Sequence, residues 1–224
     1  MIHALPAVHD IASALPGVQI DWVVEKSFSD IPRLSQHVTC VHEVAVRQWR
    51  KQLFNRQTWQ DIAKVKAALA GQNYDLVIDL QGLLKSALVA KWACSPIAGY
   101  DAQSIKEPVA SRFYDQKFSI SKSMLAMTRC RALAAAALGY NYQTLPLSFG
   151  MKDLQGSDGK KPYAVFLVNT SRETKLWDEA RWVEMAQNVH KEGLNVRFLW
   201  GAPEEHERVR RIAQQAGDFC EVMP

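Results

Sequence analysis

The sequence predicts an α/β protein in two parts, assembled from βαβ units. Three observations carry this. Short apolar, β-branched runs alternate with longer stretches of helical spacing; the apolar runs are nearly continuous; and one polar segment rich in glycine and lysine breaks the alternation.

The apolar runs at residues 19–25, 74–80, 164–168 and 196–200 read as strands, and their continuity suits strands covered on both faces of a parallel sheet. Helical spacing covers residues 8–15, 59–70, 84–94, 124–138, 178–191 and 204–215. The segment MKDLQGSDGKKP, residues 151–162, reads as a linker, giving domains 1–150 and 151–224. The first domain opens on a helical pattern with no strand ahead of it. The second has too few elements for a self-sufficient doubly wound domain. A further strand begins in the closing DFCEVMP, so both ends are expected to be cut.

Composition excludes several classes. A chain of 224 residues, 48% hydrophobic and 22% charged, is ordinary for a soluble globular protein with a buried core. The net charge of +4 is too small to name a partner, so the placement of the basic residues decides. Cys40, Cys94, Cys130 and Cys220 are scattered without a C-x-x-C pair, which argues against a zinc or disulfide scaffold and suits a reducing compartment. His37 and His42 lie five positions apart, off the i, i+4 spacing of two ligands on one helix, so no metal is expected. The opening MIHALPAVHDIASAL has no basic leader region, and no apolar stretch approaches the roughly 20 residues that span a bilayer. The expectation is a cytoplasmic chain able to touch a membrane surface.

The motifs of several enzyme classes are missing. There is no G-x-G-x-x-G after a strand, no G-x-x-x-x-G-K-[ST], no G-x-S-x-G and no H-E-x-x-H. What remains is a set of loops at strand carboxyl ends, where open α/β sheets bind ligands. YAVFLVNTSRETKLW sets Thr170, Ser171, Arg172 and Lys175 between a strand and a helix starting near Asp178. Two hydroxyls and a lysine there suit a diphosphate, with Lys175 offsetting charge on a leaving group; an ordinary solvated loop fits the same residues equally well. After residues 196–200, Glu204 and Glu205 open a helix, which the helix dipole alone explains.

Two features lie in the first domain. VRQWRKQLFNR, residues 46–56, interleaves Arg47, Arg50, Lys51 and Arg56 with Trp49, Leu53 and Phe54. Arg47, Arg50 and Lys51 share one face if the segment is helical, and such a face suits phosphate or carboxylate. The aromatics suit a lipid headgroup boundary; RNA or a plain solvated face fits the same pattern. In DLQGLLKS, Gly82 permits a tight turn, Gln81 and Lys85 are expected at a cleft between the domains, and Leu83 and Leu84 at a helix packing face.

Together the runs IHALPAV, DWVVE, VAVRQWRK, YDLVIDLQGLLKSAL, KEPVASRFY, NTSRETKLW and FLWGAPEEHERVRRIA resemble the ADP-heptose:lipopolysaccharide heptosyltransferases of glycosyltransferase family 9, most closely those acting first. The resemblance runs along essentially the whole chain. It implies a GT-B fold: two Rossmann-like domains facing across a cleft, acceptor bound by the first and ADP-heptose by the second. The implied reaction is transfer of L-glycero-D-manno-heptose, with inversion, to a Kdo sugar of Kdo2-lipid A in lipopolysaccharide core synthesis. It implies no cofactor, no metal and no nucleic-acid partner, and a peripheral place on the inner face of the inner membrane. Carried over by position, Thr170, Ser171 and Lys175 meet the donor diphosphate and Glu205 the nucleotide. Arg47, Arg50 and Lys51 meet the anionic acceptor, and Lys85 sits in the family's Q-G-x-x-K-S loop.

The family's proposed general base, an Asp in a Gly-Asp loop, would precede Met1, and its D-T-G-x-x-H motif would follow Pro224. Inversion needs a base for the acceptor hydroxyl, so the chain alone is expected to transfer no heptose. A later-acting heptosyltransferase, and a non-catalytic product that only binds anionic lipid, are the alternatives.

Overall fold

The computed structural model describes residues 1–152, 162–170 and 172–224. The chain divides into two compact units, Met1–Asp153 and Leu154–Pro224. The first contains α1 (Leu5–Ala14), β1 (Ile20–Glu25), α2 (Asp30–Arg33), β2 (Val38–Val44), α3 (Val46–Trp49), α4 (Arg56–Ala70), β3 (Val77–Ile78), α5 (Leu84–Ala90), β4 (Ile97–Tyr100), β5 (Gln116–Phe118) and α6 (Ala126–Leu138). The second contains β6 (Tyr163–Phe166), α7 (Glu179–Lys191), β7 (Asn195–Phe198), α8 (Pro203–Ala216) and β8 (Cys220–Val222).

Among the described residues every ladder between strands is parallel: β1 with β2, β3–β4–β5 in that order, and β6–β7–β8. Parallel neighbours need a crossover, and the helices supply it. Local chemistry marks where they start and stop. Asn55 accepts the Gln57 amide at the head of α4, Asp178 accepts the Ala180 amide at the head of α7, and Pro203 opens α8. Gly139, at φ +75°, closes α6.

Burial is deepest around β4, whose four residues are all buried. Gly99 is obligatory there, because a Cβ would stand 2.3 Å from the ring of buried Tyr114. Ile97, Ile105, Leu133 and Ala87 complete this core between β4, α5 and α6. A second cluster joins α1 to α6, where fully buried Asp10 takes two hydrogen bonds from Arg131, at 2.6 and 3.0 Å. Trp49, Leu69, Val44 and Val89 form a third, which closes α3 and α4 over β2. The second unit has its own core of Phe166, Val196, Phe198, Val209 and Ile212.

Where sequence and structure differ, pairing is the reason. The run at 74–80 is laddered only at Val77 and Ile78, and Tyr74 packs instead against α4 as a side-chain partner. The helix read to Cys94 ends at Ala90 and tightens into a 3₁₀ turn, with Cys94 left-handed at φ +55°. Strands β2 and β5 are not legible as apolar runs, and β4, though apolar, has only four residues. β2 carries Thr39, Cys40, His42 and Glu43, and β5 has three residues.

Candidate functional site

In the second unit, the loop from β6 to α7 leaves the carboxyl end of a strand, as the sequence suggests. It is held from behind by α8. One arm of Arg208 donates to the Val168 carbonyl at 2.6 Å and lies 3.3 Å from Asn169 Oδ1, and the other donates to the Trp177 carbonyl at 2.5 Å. Glu179, on α7, lies 3.5 Å from Arg208 and 2.7 Å from Arg211. The loop is thus pinned at both feet. Thr170 is half-buried and Lys175 is exposed at the end of a short 3₁₀ turn. Ser171 lies outside the described residues.

Asn169 was missed by the sequence reading. Its Nδ2 is buried with no hydrogen-bond partner among the described residues. A buried amide donor left unmade costs about 1–3 kcal/mol, which a ligand oxygen would recover. The loop therefore offers a polarised edge: an orphan amide, a hydroxyl and an exposed ammonium at the N-terminal side of α7.

The second loop of this unit is built differently. Glu205 accepts the Gly201 amide at 2.8 Å through Oε2 and closes the turn from β7 into α8. Half of its carboxylate therefore has a local job, beyond the dipole effect expected for acids in a first turn.

In the first unit, the DLQGLLKS loop is organised by Asp79, which is only 6% exposed. Its Oδ1 accepts the Gln81 and Gly82 amides at 2.9 and 3.2 Å; the Tyr114 hydroxyl donates to Oδ2 at 2.6 Å, and the Ser86 hydroxyl lies 2.7 Å from that oxygen. Burial, and then Asp79 itself, push the Tyr114 phenol well above its ordinary pKa, so it remains a donor. Gly82 takes φ +66°, and a Cβ there would lie 2.9 Å from Ile105 Cγ1. Glu107 accepts the Leu84 amide at 2.7 Å, which ties the KEP segment to the start of α5. Lys85 is half-buried in the first turn of α5, and Leu84, read as a packing residue, is 37% exposed.

The basic segment forms one helical turn, α3, followed by a turn through Arg50 and Lys51. Arg47, Arg50 and Lys51 are exposed, and none of the ion pairs among the described residues involves them. The Arg47 amide is fixed by Glu25 Oε1 at 3.2 Å. Trp49 is buried, 7% exposed, against Trp92, so it anchors the turn instead of reaching outward. Phe54 is fully exposed and Trp59 is 57% exposed. No helix among the described residues is long and apolar enough to cross a membrane.

The profile of Glycosyltransferase family 9 (heptosyltransferase) matches residues 62–224. The chain belongs to this family. It is 42% identical to lipopolysaccharide heptosyltransferase 1 of Pseudomonas aeruginosa over 216 residues, 95% of this chain and 61% of that protein. Two solved structures of E. coli heptosyltransferase WaaC are similar over all of this chain. The one with ADP has a TM-score of 0.94 at 37% identity, with 71% of it covered; the one with ADP-2-deoxy-2-fluoro heptose has 0.93 at 38%, with 72% covered. The chain thus spans 61% to 72% of the length of these relatives. As a family 9 member it has an α/β fold of the GT-B type, with parallel sheets in both units.

Proposed function

We propose that this chain carries donor- and acceptor-contacting parts of an inverting glycosyltransferase that moves L-glycero-D-manno-heptose from ADP-heptose to a Kdo sugar of Kdo2-lipid A. The observation that carries the reading is the likeness, over the full chain, to a heptosyltransferase solved with ADP and with a fluorinated ADP-heptose. Thr170, Ser171, Lys175 and Asn169 hold the diphosphate, with Lys175 balancing charge as ADP leaves. Glu205 bonds the nucleotide through the oxygen turned away from Gly201. Arg47, Arg50 and Lys51 take the anionic acceptor, where guanidinium forks match phosphate and carboxylate, and Lys85 adds a charge from the first turn of α5. Residues 1–150 form the acceptor domain and 151–224 belong to the donor domain. The reaction uses no cofactor or metal. Phe54 beside the arginines suits a peripheral position on the inner face of the inner membrane.

A chimera tests this: the chain replaces the matched 71% of E. coli WaaC. Heptose transfer to Kdo2-lipid A with inverted anomeric configuration is the expected result. Transfer only to an already heptosylated acceptor would identify a later-acting enzyme. Binding of anionic lipid without transfer would leave the non-catalytic reading.

A further inference from the structure

β1 and β2 bring together a group of side chains outside the loops described above. Asp21 stands directly across from Cys40 in the parallel register, and His42 follows two residues on. Strand side chains alternate faces, so Cys40 and His42 share one face, beside Asp21. One ligand atom from each lies within 4.8 Å of the other two, and His42 Nε2 is 3.2 Å from Asp21 Oδ2. The His42 and Asp21 side chains are 9% and 14% exposed, whereas Cys40 is open to solvent. Tyr74 lies over the pair, donating its hydroxyl to Asp21 Oδ2 at 2.7 Å and standing 3.0 Å from His42 Nε2.

We propose that Asp21, Cys40 and His42 form a binding site for a zinc-class divalent ion. The donor set is one thiolate, one imidazole and one carboxylate, the mixture that borderline-soft ions take. Ligand bonds of about 2.0–2.3 Å in a tetrahedron put ligand atoms about 3.3–3.8 Å apart, a spacing His42 and Asp21 already nearly meet. Cys40, at the exposed side, closes the third corner by a change of rotamer and leaves the fourth to water. On binding, the Cys40 thiol gives its proton to solvent and His42 binds neutral, so the two anionic ligands balance the ion's charge. Tyr74 fills the outer-shell role by holding the carboxylate through its hydroxyl. The three ligands lie within the strands, Asp21 second in β1 and Cys40 and His42 third and fifth of the seven residues of β2, whereas Arg47 lies beyond the carboxyl end of β2, and the ion is assigned no part in the transfer. The spacing rule that dismissed the histidines concerned helices; the pattern here is i, i+2 on a strand with a partner across the ladder.

The test uses the purified 224-residue chain, stripped with a chelator and titrated with Zn²⁺ against a chromophoric competitor, then with Co²⁺ followed by absorption. One ion per chain and a thiolate-to-cobalt charge-transfer band are expected. Cys40→Ser and His42→Ala should each weaken Zn²⁺ binding by more than about 100-fold, since loss of an outer-shell partner alone costs 10–100-fold. Tyr74→Phe should weaken it about tenfold. Exposed Cys94 is the control, and Cys94→Ser should change nothing. Circular dichroism verifies that each variant is folded; Cys40 is exposed, so its replacement leaves the core intact. A folded wild-type chain without the charge-transfer band, or equal Zn²⁺ affinity in Cys40→Ser, overturns the proposal.

Discussion

Arg208 reaches from α8 to the carbonyl of Val168, 2.6 Å away, and so fixes the point where β6 gives way to the proposed diphosphate loop. The same guanidinium holds the Trp177 carbonyl at the loop's far foot. Arg208→Ala in the chimera frees both feet. Misplacing a binding group by about 1 Å costs on the order of 100-fold in rate, so kcat/KM for ADP-heptose should fall by about that much, with the KM for Kdo2-lipid A unchanged. Arg208→Lys should not rescue it, because one ammonium does not span two carbonyls. Full activity in Arg208→Lys would show that charge alone is sufficient.

The buried pair of Asp10 and Arg131 predicts a stability effect without a catalytic one. Asp10 is fully buried, and Arg131 also caps the Tyr142 and Leu145 carbonyls at 3.0 Å each. Removing one partner strands the other charge, so Asp10→Ala should cost about 3–5 kcal/mol in urea unfolding. A loss under about 1 kcal/mol would mean that water reaches the arginine.

Two neighbours in the basic turn should behave in opposite ways. Arg50→Ala in the chimera should raise the KM for Kdo2-lipid A more than that for ADP-heptose; equal changes would make Arg50 structural. Trp49→Ala should instead lower stability by about 3–5 kcal/mol, because the indole is packed in the core.

Acid should weaken the fold through His37. Its Nε2 lies 3.0 Å from His9 Nδ1, and desolvation, followed by the charge on His9, lowers its pKa from 6.5. The unfolded chain therefore takes up the proton first as pH falls. This stability is fully present above pH 6.5 and is lost as pH falls through the folded-state value. Urea midpoints measured against pH should show that loss, and His37→Gln should flatten it. An unchanged slope in the variant places the acid sensitivity elsewhere.

Much of this was readable in the chain, for physical reasons that differ by residue. The helix of α7 announced itself through Asp178, and α8 through Pro203, because caps are local. The loop bearing Thr170 and Lys175 was legible because a polar run after an apolar strand has one usual place in a parallel fold. Asn169 and Arg208 were not, since their pairing joins residues 39 positions apart and leaves no periodic trace. Asp79 had a faint local sign, an acid three residues before a glycine, but its bond to Tyr114 spans 35 positions. Trp49 misled because an aromatic between arginines looks the same in sequence whether it faces lipid or core.

Gly82 carries a practical consequence for anyone reshaping the proposed acceptor side. Its φ of +66° and the 2.9 Å clearance to Ile105 mean that the turn before Lys85 is bolted to the deepest core of the first unit. A library randomised at this position would return mostly destabilised chains. Diversity is better placed at exposed Gln81, where the backbone is already set by Asp79 and the side chain is free to vary.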